Sequence, residues 1–328
     1  MSVPVSIVMP ARNARATVAA SVQAALSQDY SGTIEVIVAE GGSIDDTRHI
    51  LENLAASEPR FRLVDNPAGT TPAGLNRAIA AATGEIIVRC DAHAVLPPEY
   101  VATAVRMLAE TGADNVGGVQ RARGVTLLEK AIALAMSTPL GAGDARYRLG
   151  GPPGPTDTVY LGTFRRAALE RVGGFDETLE RNQDYELNIR LRQTGGTVFF
   201  HPDLVVDYRP RGSFSDLWRQ YLDYGRWKRE VIRRHPGSVR WRQLAAPLLV
   251  VGLGVSLVLG LAGAAIGLAL PLAYTGILLA GAGWVAAVRR SLAALLLPPV
   301  VAVMHLAWGL GFLQGLPSRR RFDKTPPL

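Results

Sequence analysis

Residues 84–96 read GEIIVRCDAHAVL, and the fold turns on them. The run 85–89 is apolar and β-branched, is opened by Gly84 and is too short for a helix, which predicts a strand. That strand delivers Asp91 and His93 to its carboxyl end, the edge at which an open α/β sheet binds its ligands. Two ligating groups one residue apart on a turning backbone can converge on one divalent cation. A polar surface turn would read the same way in isolation, so the flanking chain has to decide.

Upstream, VSIVM (5–9) predicts a buried strand, ended by Pro10-Ala11-Arg12-Asn13, with Asn13 placed to cap a helix that runs to about residue 27. EVIVA (35–39) predicts a second strand. It is followed by Glu40-Gly41-Gly42-Ser43-Ile44-Asp45-Asp46-Thr47 and a further helix, at whose start Asp45 and Asp46 suit the dipole. FRLVD (61–65) predicts a third strand, and a helix over 72–82 leads into the organising stretch. Strands alternating with helices imply a parallel sheet with right-handed crossovers. There is no Gly-x-Gly-x-x-Gly and no Walker loop, so dehydrogenase and P-loop chemistry lack their phosphate device.

Charged residues make up only 19% of the 328, and that average conceals a division: residues 244–288 contain none. A run of that length far exceeds the ~20 residues that span a bilayer, so the C-terminal part is expected in the membrane. Residues 1–10 read as a short strand and not as a basic segment followed by a long apolar one, so the catalytic portion is expected to stay in the compartment where it is made. The single cysteine, Cys90, excludes an internal disulfide and suits a reducing compartment; beside a strand, packing is its expected role. The net charge of +7 is carried largely by Arg and Lys crowded between 209 and 242, next to the apolar run. Such a patch faces anionic lipid, and nucleic acid is not expected as a partner.

Downstream, 158–162 is strand-like, 165–171 helical and Gly173-Gly174-Phe175-Asp176 a turn. Asn182-Gln183-Asp184-Tyr185-Glu186 opens a helix with Leu187, Ile189 and Leu191 on its inner side, and 197–201 and 204–208 predict two more strands. Residues 213–234 read as an amphipathic helix whose aromatic and basic side chains suit a bilayer interface. Residues 244–261 and 264–288 form a hairpin of candidate spans closed by Arg289-Arg290. Residues 291–316 are either a third span or, broken at Pro298-Pro299, a re-entrant pair. His305, Trp308 and Gln314 in that segment are read as interface or packing residues.

In their order and spacing, PARN (10–13), EGGSIDDT (40–47), LNRAI (75–79), CDAHA (90–94), GGFDE (173–177) and NQDYELNIRLR (182–192) resemble the family 2 glycosyltransferases over about residues 3–235. The DAH form with GGS is similar to the succinoglycan-type exopolysaccharide transferases, which carry a C-terminal membrane segment. The resemblance implies an α/β fold: a GT-A nucleotide-diphospho-sugar transferase domain, with a mixed, mostly parallel sheet and flanking helices, over residues 1–212. It is followed by an interfacial helix and linker (213–243), an all-α transmembrane part (244–317) and a basic tail (318–328).

The resemblance also assigns residues. Pro10, Ala11, Arg12, Asn13, Glu40 and Asn76 are expected around the nucleotide-sugar, with Glu40 standing where the family usually has an Asp that accepts the uracil N3 hydrogen. Asp91 and His93 match the Asp-x-Asp pair that holds Mg²⁺ or Mn²⁺ on the diphosphate. Either His93 ligates, and Mn²⁺ is then tolerated at least as well as Mg²⁺, or Asp91 holds the ion largely alone or through water. Asp184 matches the general base, with helix capping as the structural alternative. Arg226 lies in DYGRW (223–227), similar to the Gln-x-x-Arg-Trp of processive synthases except that Asp223 replaces the Gln, and is expected on a lipid diphosphate or the donor diphosphate.

The activity implied is inverting transfer of a sugar, from a UDP-sugar, to a lipid-linked saccharide in exopolysaccharide or cell-surface glycan synthesis. It would take place at a multi-pass inner-membrane protein with a cytoplasmic catalytic domain, alongside exopolysaccharide assembly proteins. A polyprenyl-phosphate glycosyltransferase is the alternative, and a catalytically inactive membrane scaffold the alternative of another class.

Overall fold

The structure, a computed structural model, describes residues 2–316; the expected basic tail at 318–328 lies outside them. The chain divides into two compact units, one made of residues 1–121 and 150–207, the other of 122–149 and 208 onward.

The first unit is built on one eight-stranded sheet. Its strands are β1 (Val5–Ala11), β2 (Ile34–Glu40), β3 (Phe61–Asp65), β4 (Ile86–Arg89), β5 (Asn115–Ala122), β6 (Gly154–Pro155), β7 (Tyr160–Arg165) and β8 (Val198–Tyr208), in the order β3-β2-β1-β4-β7-β5-β8-β6. β3, β2, β1 and β4 are parallel neighbours, and β7 then pairs antiparallel with both β4 and β5. The expected mixed, mostly parallel sheet is thus present, and β4 stands where the parallel run stops.

The apolar continuity of these strands follows from burial on both faces. Alternate residues go to opposite sides. Ile7, Met9, Val36, Val38, Ile86 and Val88 pack on one face with α1 (Val18–Leu26), Leu51 of α2 (Thr47–Ser57) and α4 (Tyr100–Thr111). Val8, Ile37, Ala39 and Ile87 pack on the other with α3 (Thr71–Ala81), α8 (Arg166–Val172) and α9 (Gln183–Gln193). Gly84 is required at the mouth of β4: a Cβ there would lie 2.6 Å from the Ser6 nitrogen, and its own N–H donates to Ser6 Oγ at 2.8 Å.

Two local expectations are corrected. The first helix starts at Val18, with no side-chain cap, and not at Asn13. Asn13 takes a left-handed φ of 49°, accepts the Ile44 N–H at 2.9 Å and donates its own N–H to Ser43 Oγ, so its amide is spent between loops. The strands expected at 197–201 and 204–208 are one, β8, because Pro202 is compatible with extended backbone and only lacks a donor.

The second unit is helical: α5 (Leu127–Met136), α6 (Pro139–Ala142), α7 (Arg146–Leu149), α10 (Phe214–Arg234), α11 (Arg242–Leu261), α12 (Ala269–Arg289) and α13 (Leu297–Gln314). A reciprocal capping box between Thr126 and Glu129 starts α5, and Ser213 Oγ accepts the Asp216 N–H to start α10. The apolar stripe of α10 is covered within this unit. Leu217 and Tyr221 join a core with Ile132, Val300, Val301 and Met304. Gly225 and Gly311 let α10 and α13 meet backbone to backbone; a Cβ on Gly311 would fall 2.0 Å from the Leu222 carbonyl oxygen.

Three helical stretches, Gln243–Leu261, Ala265–Arg289 and Leu292–Gln314, are long and apolar enough to cross a membrane. Pro298 and Pro299 do not break the third. They occupy the first turn of α13, where a missing N–H costs nothing. His305 is a packing residue in this fold, bonded at its two ring nitrogens to Tyr274 Oη (3.0 Å) and the Leu140 carbonyl (2.8 Å).

Candidate active site

Three loops leave the carboxyl ends of β1, β2 and β3 and touch one another. The Gly41 N–H donates to the Ala11 carbonyl at 2.8 Å, and a Cβ on Gly41 would meet Ala11 O, Arg12 Cβ and Gly69 Cα, each at 3.3 Å. Arg12, exposed, reaches the Gly69 carbonyl at 3.2 Å. Glu40 has no exposed side-chain surface. Its Oε1 accepts the Ser43 N–H at 2.7 Å, and its Oε2 pairs with Arg48, which also binds Asp65. Burial pushes the Glu40 pKa up, but the bonds from Ser43, Gly42 and Arg48 outweigh it and hold the carboxylate below its ordinary value. In this geometry both of its oxygens are taken, so Glu40 shapes the loop floor from beneath. Asn76 is engaged elsewhere: its side chain brackets Phe175, accepting the N–H at 2.9 Å and donating to the carbonyl at 2.8 Å, and also donates to Glu177.

The carboxyl end of β4 carries the charged centre. Strand parity places Arg89 on the same face as Ile87, the face covered by α9, and Asp184 is the second residue of α9. Arg89 is buried and forks. Its Nε and Nη2 donate to Asp91 Oδ1 at 3.2 and 3.0 Å, and its Nη1 donates to Asp184 Oδ1. Both bonds to Asp91 end on Oδ1, leaving Oδ2 without a protein donor among the described residues.

The two carboxylates are driven apart in acidity. For Asp91, burial raises the pKa, but the charges of Arg89 and His93 and the Arg89 hydrogen bonds together hold it below the ordinary range. For Asp184, burial raises it, Arg89 pulls it down and the Asp91 charge pushes it up again, with a net rise. The Asp184 side chain keeps 37% exposure, so it is desolvated yet still open to an incoming hydroxyl. Environments that separate two neighbouring acids in this way mark acid–base work. Cys90 is buried with its thiol pushed far up by that burial, which makes it inert and fits the expected packing role.

His93 is exposed and close enough for its charge to act on Asp91. Among the described residues no cluster of three or more His, Cys, Asp or Glu side chains forms a cation site. The groups of this turn that could hold a divalent cation are Asp91 Oδ2 and the His93 imidazole, too few to do so without substrate phosphates and water. Arg226 belongs to the second unit, where its Nη2 donates to Gln314 Oε1 at 2.8 Å and its Nη1 lies 3.6 Å from Asp223. Sequence reasoning singled out Asp91, His93 and Asp184, which the fold gathers. It missed Arg89, which ties two of them; a basic residue on a buried strand, two before an acid, was the available signal.

An open, mostly parallel α/β sheet with touching loops at the ends of β1 to β3 and a pair of acids held by Arg89 at the end of β4 has the architecture of the GT-A nucleotide-sugar transferases. The family described as Glycosyl transferase family 2 matches residues 6–173, and the chain belongs to that family. It is 32% identical over 291 residues to the succinoglycan biosynthesis protein ExoA of Rhizobium meliloti (strain 1021), covering 87% of each chain. It is 25% identical to the beta-monoglucosyldiacylglycerol synthase of Synechocystis sp., over 68% of this chain and 50% of that one. In fold it is similar to the mannosyltransferase PcManGT from Pyrobaculum calidifontis, solved with GDP-Man and Mn²⁺: TM-score 0.64, 21% identity, 95% of this chain and 88% of the other covered. The protein is a glycosyltransferase, related to enzymes of exopolysaccharide and glycolipid synthesis.

Proposed function

We propose that the protein moves a sugar, with inversion, from a nucleotide-sugar to a lipid-linked saccharide acceptor in exopolysaccharide or cell-surface glycan synthesis. The observation that carries this reading is the split pair of acids on Arg89: Asp91 held ionised, Asp184 raised in pKa and open to solvent. In this reading Asp184 accepts the hydroxyl proton of the acceptor as that oxygen attacks the anomeric carbon from the face opposite the nucleotide. Arg89 orients both carboxylates and keeps Asp184 deprotonated enough to act. Asp91, with His93 beside it, would hold Mg²⁺ or Mn²⁺. A bound cation there supplies charge neutralisation on the departing nucleoside diphosphate. The loops of Pro10–Asn13 and Gly41–Gly42, stiffened by Glu40 and Arg48, line the nucleotide side, and Asn76 fixes the turn at Phe175 beneath the sugar.

The lipid-linked acceptor and the membrane location are supported by the likeness to the succinoglycan protein and by the three long apolar helices. In this reading the protein is multi-pass in the inner membrane, with its catalytic unit cytoplasmic. The test is to incubate membranes containing the protein with a panel of nucleotide sugars and to analyse the extracted lipids. One added sugar of inverted anomeric configuration on a lipid-linked saccharide is expected. Transfer only to diacylglycerol, or to water, would overturn the acceptor assignment.

A further inference from the structure

The second unit holds a half-buried cation with no acid beside it among the described residues. Arg148, in α7, has its guanidinium carbon 5.4 Å from the centre of the Tyr147 ring, and its Nε makes only a 3.5 Å contact with Tyr147 Oη. Its Nη1 is buried without a hydrogen-bond partner, and the groups that act on it are the phenols of Tyr147, Tyr221 and Tyr224. Gln220 joins this nest, donating to the hydroxyls of Tyr208 and Tyr224 at 3.1 and 3.2 Å. Burial lifts the Tyr221 phenol well above its ordinary pKa against the pull of Arg148, so it stays a neutral hydroxyl and supplies no counter-charge.

Several other cations of this unit are matched by acids. Arg209 pairs with Glu129, and Arg233 and Arg234 with Glu230. A desolvated, unmatched charge is expensive unless something brings it an anion. A guanidinium fork ringed by hydroxyls matches the geometry of a phosphate, whose oxygens accept from both kinds of donor. The residue is half-buried, so part of its surface reaches solvent.

The same segment offers a place for a hydrocarbon. Pro139 and Leu140 of α6 line a groove of about 470 Å³ with Ile277, Ala280, Gly281 and Trp284 of α12, almost wholly apolar. The wall is fixed, since His305, itself held by the Tyr274 hydroxyl, bonds the Leu140 carbonyl. A phosphate nest and an apolar groove on consecutive short helices match the two halves of one molecule.

We propose that Arg148 and its tyrosines bind the phosphate or diphosphate of the lipid that carries the acceptor, whose chain occupies the α6–α12 groove. The proposal rests on the lipid-linked acceptor assigned above. It is tested with the full chain in nanodiscs, in EDTA so that no metal recruits phosphate to the donor site, by titrating geranylgeranyl diphosphate and inorganic pyrophosphate. The lipid should bind at least tenfold more tightly than pyrophosphate. Arg148→Gln should weaken it tenfold or more at an unchanged melting temperature, and Arg148→Lys, which keeps the charge but loses the fork, should fall between. A folded Arg148→Gln protein that binds the lipid like wild type overturns the site and leaves the acceptor reading standing. Should that variant not fold, an Arg148→Lys protein binding no more weakly than wild type overturns it equally. Pyrophosphate binding as tightly as the lipid overturns the lipid identity of the ligand, while the acceptor reading falls only if the product analysis above finds no sugar on a lipid-linked saccharide.

Discussion

The guanidinium of Arg89, rooted in the central strand β4, ends on the carboxylate of Asp184 in the first turn of α9 while its other nitrogens hold Asp91. One buried side chain thus couples the two acids whose roles are proposed to differ. Removing the base should expose that division. Asp184→Asn is expected to lower transfer by about 10²- to 10⁴-fold, the usual worth of general-base catalysis, with donor affinity near normal. Turnover and nucleotide-sugar binding measured on one preparation check this, and a variant with near-normal turnover places the base elsewhere.

The acidic limb of the pH–rate profile should lie above the ordinary aspartate value of about 3.9, because Asp184 works deprotonated and its pKa is raised. The signs of two variants follow from its neighbours. Arg89 lowers the Asp184 pKa, so Arg89→Gln should move the limb to higher pH. Asp91 raises it, so Asp91→Asn should move the limb to lower pH in whatever residual activity remains. Shifts of the same sign in both variants would assign the limb to another group.

This coupling shows where the sequence stops being legible. β1 to β4 could be read because parallel strands covered on both faces appear as unbroken apolar runs, and Asp91 and Asp184 because they stand in ordered short motifs. The bond between Arg89 and Asp184 spans 95 positions. It depends on strand parity matching a helix that packs on one face, which no local pattern states. Asn13 misleads for the same reason: capping is a local inference, and its side chain is claimed by Ile44 on another loop. Arg148 follows Arg146 by two positions, and only the packed helices reveal that no acid among the described residues meets it.

Asp91→Ala should abolish metal-dependent donor binding. His93→Asp should keep activity and shift preference toward Mg²⁺, because a hard oxygen replaces an imidazole. Rates in Mn²⁺ and Mg²⁺ at matched concentrations decide the second point; an unchanged ratio removes His93 from the ligand set.

Asn76 makes three bonds to the turn at Phe175–Glu177 and none to the loop floor. Asn76→Ala should therefore destabilise the first unit, by roughly 0.5–1.5 kcal/mol for each half-buried hydrogen bond lost, and leave the KM for the donor little changed. Thermal melting together with donor kinetics separates these effects. A large rise in donor KM at constant melting temperature would put Asn76 on the nucleotide-sugar after all.

The basic residues of α10 look in sequence like a membrane-facing patch, yet two of them serve the end of α13. Arg229 Nη1 donates to the Phe312 and Leu313 carbonyls, groups that the last turn of a helix leaves without partners, and Arg226 holds Gln314. Positive charge at a helix C-terminus is favourable by roughly 0.3–1 kcal/mol near the surface, so Arg229→Gln should lower the melting temperature of the detergent-solubilised protein. Arg219, an exposed residue paired with exposed Asp216 on its own helix, is the control and should melt like wild type when changed to Gln. Replacing Arg226, Arg229 and Arg233 together should then destabilise the α10–α13 pair as well as raise the KM for the lipid acceptor above any change for the donor. If the triple variant raises acceptor KM at an unchanged melting temperature, the arginines act on the acceptor directly. If it melts early with both KM values unaltered, they are caps on α13 and nothing more.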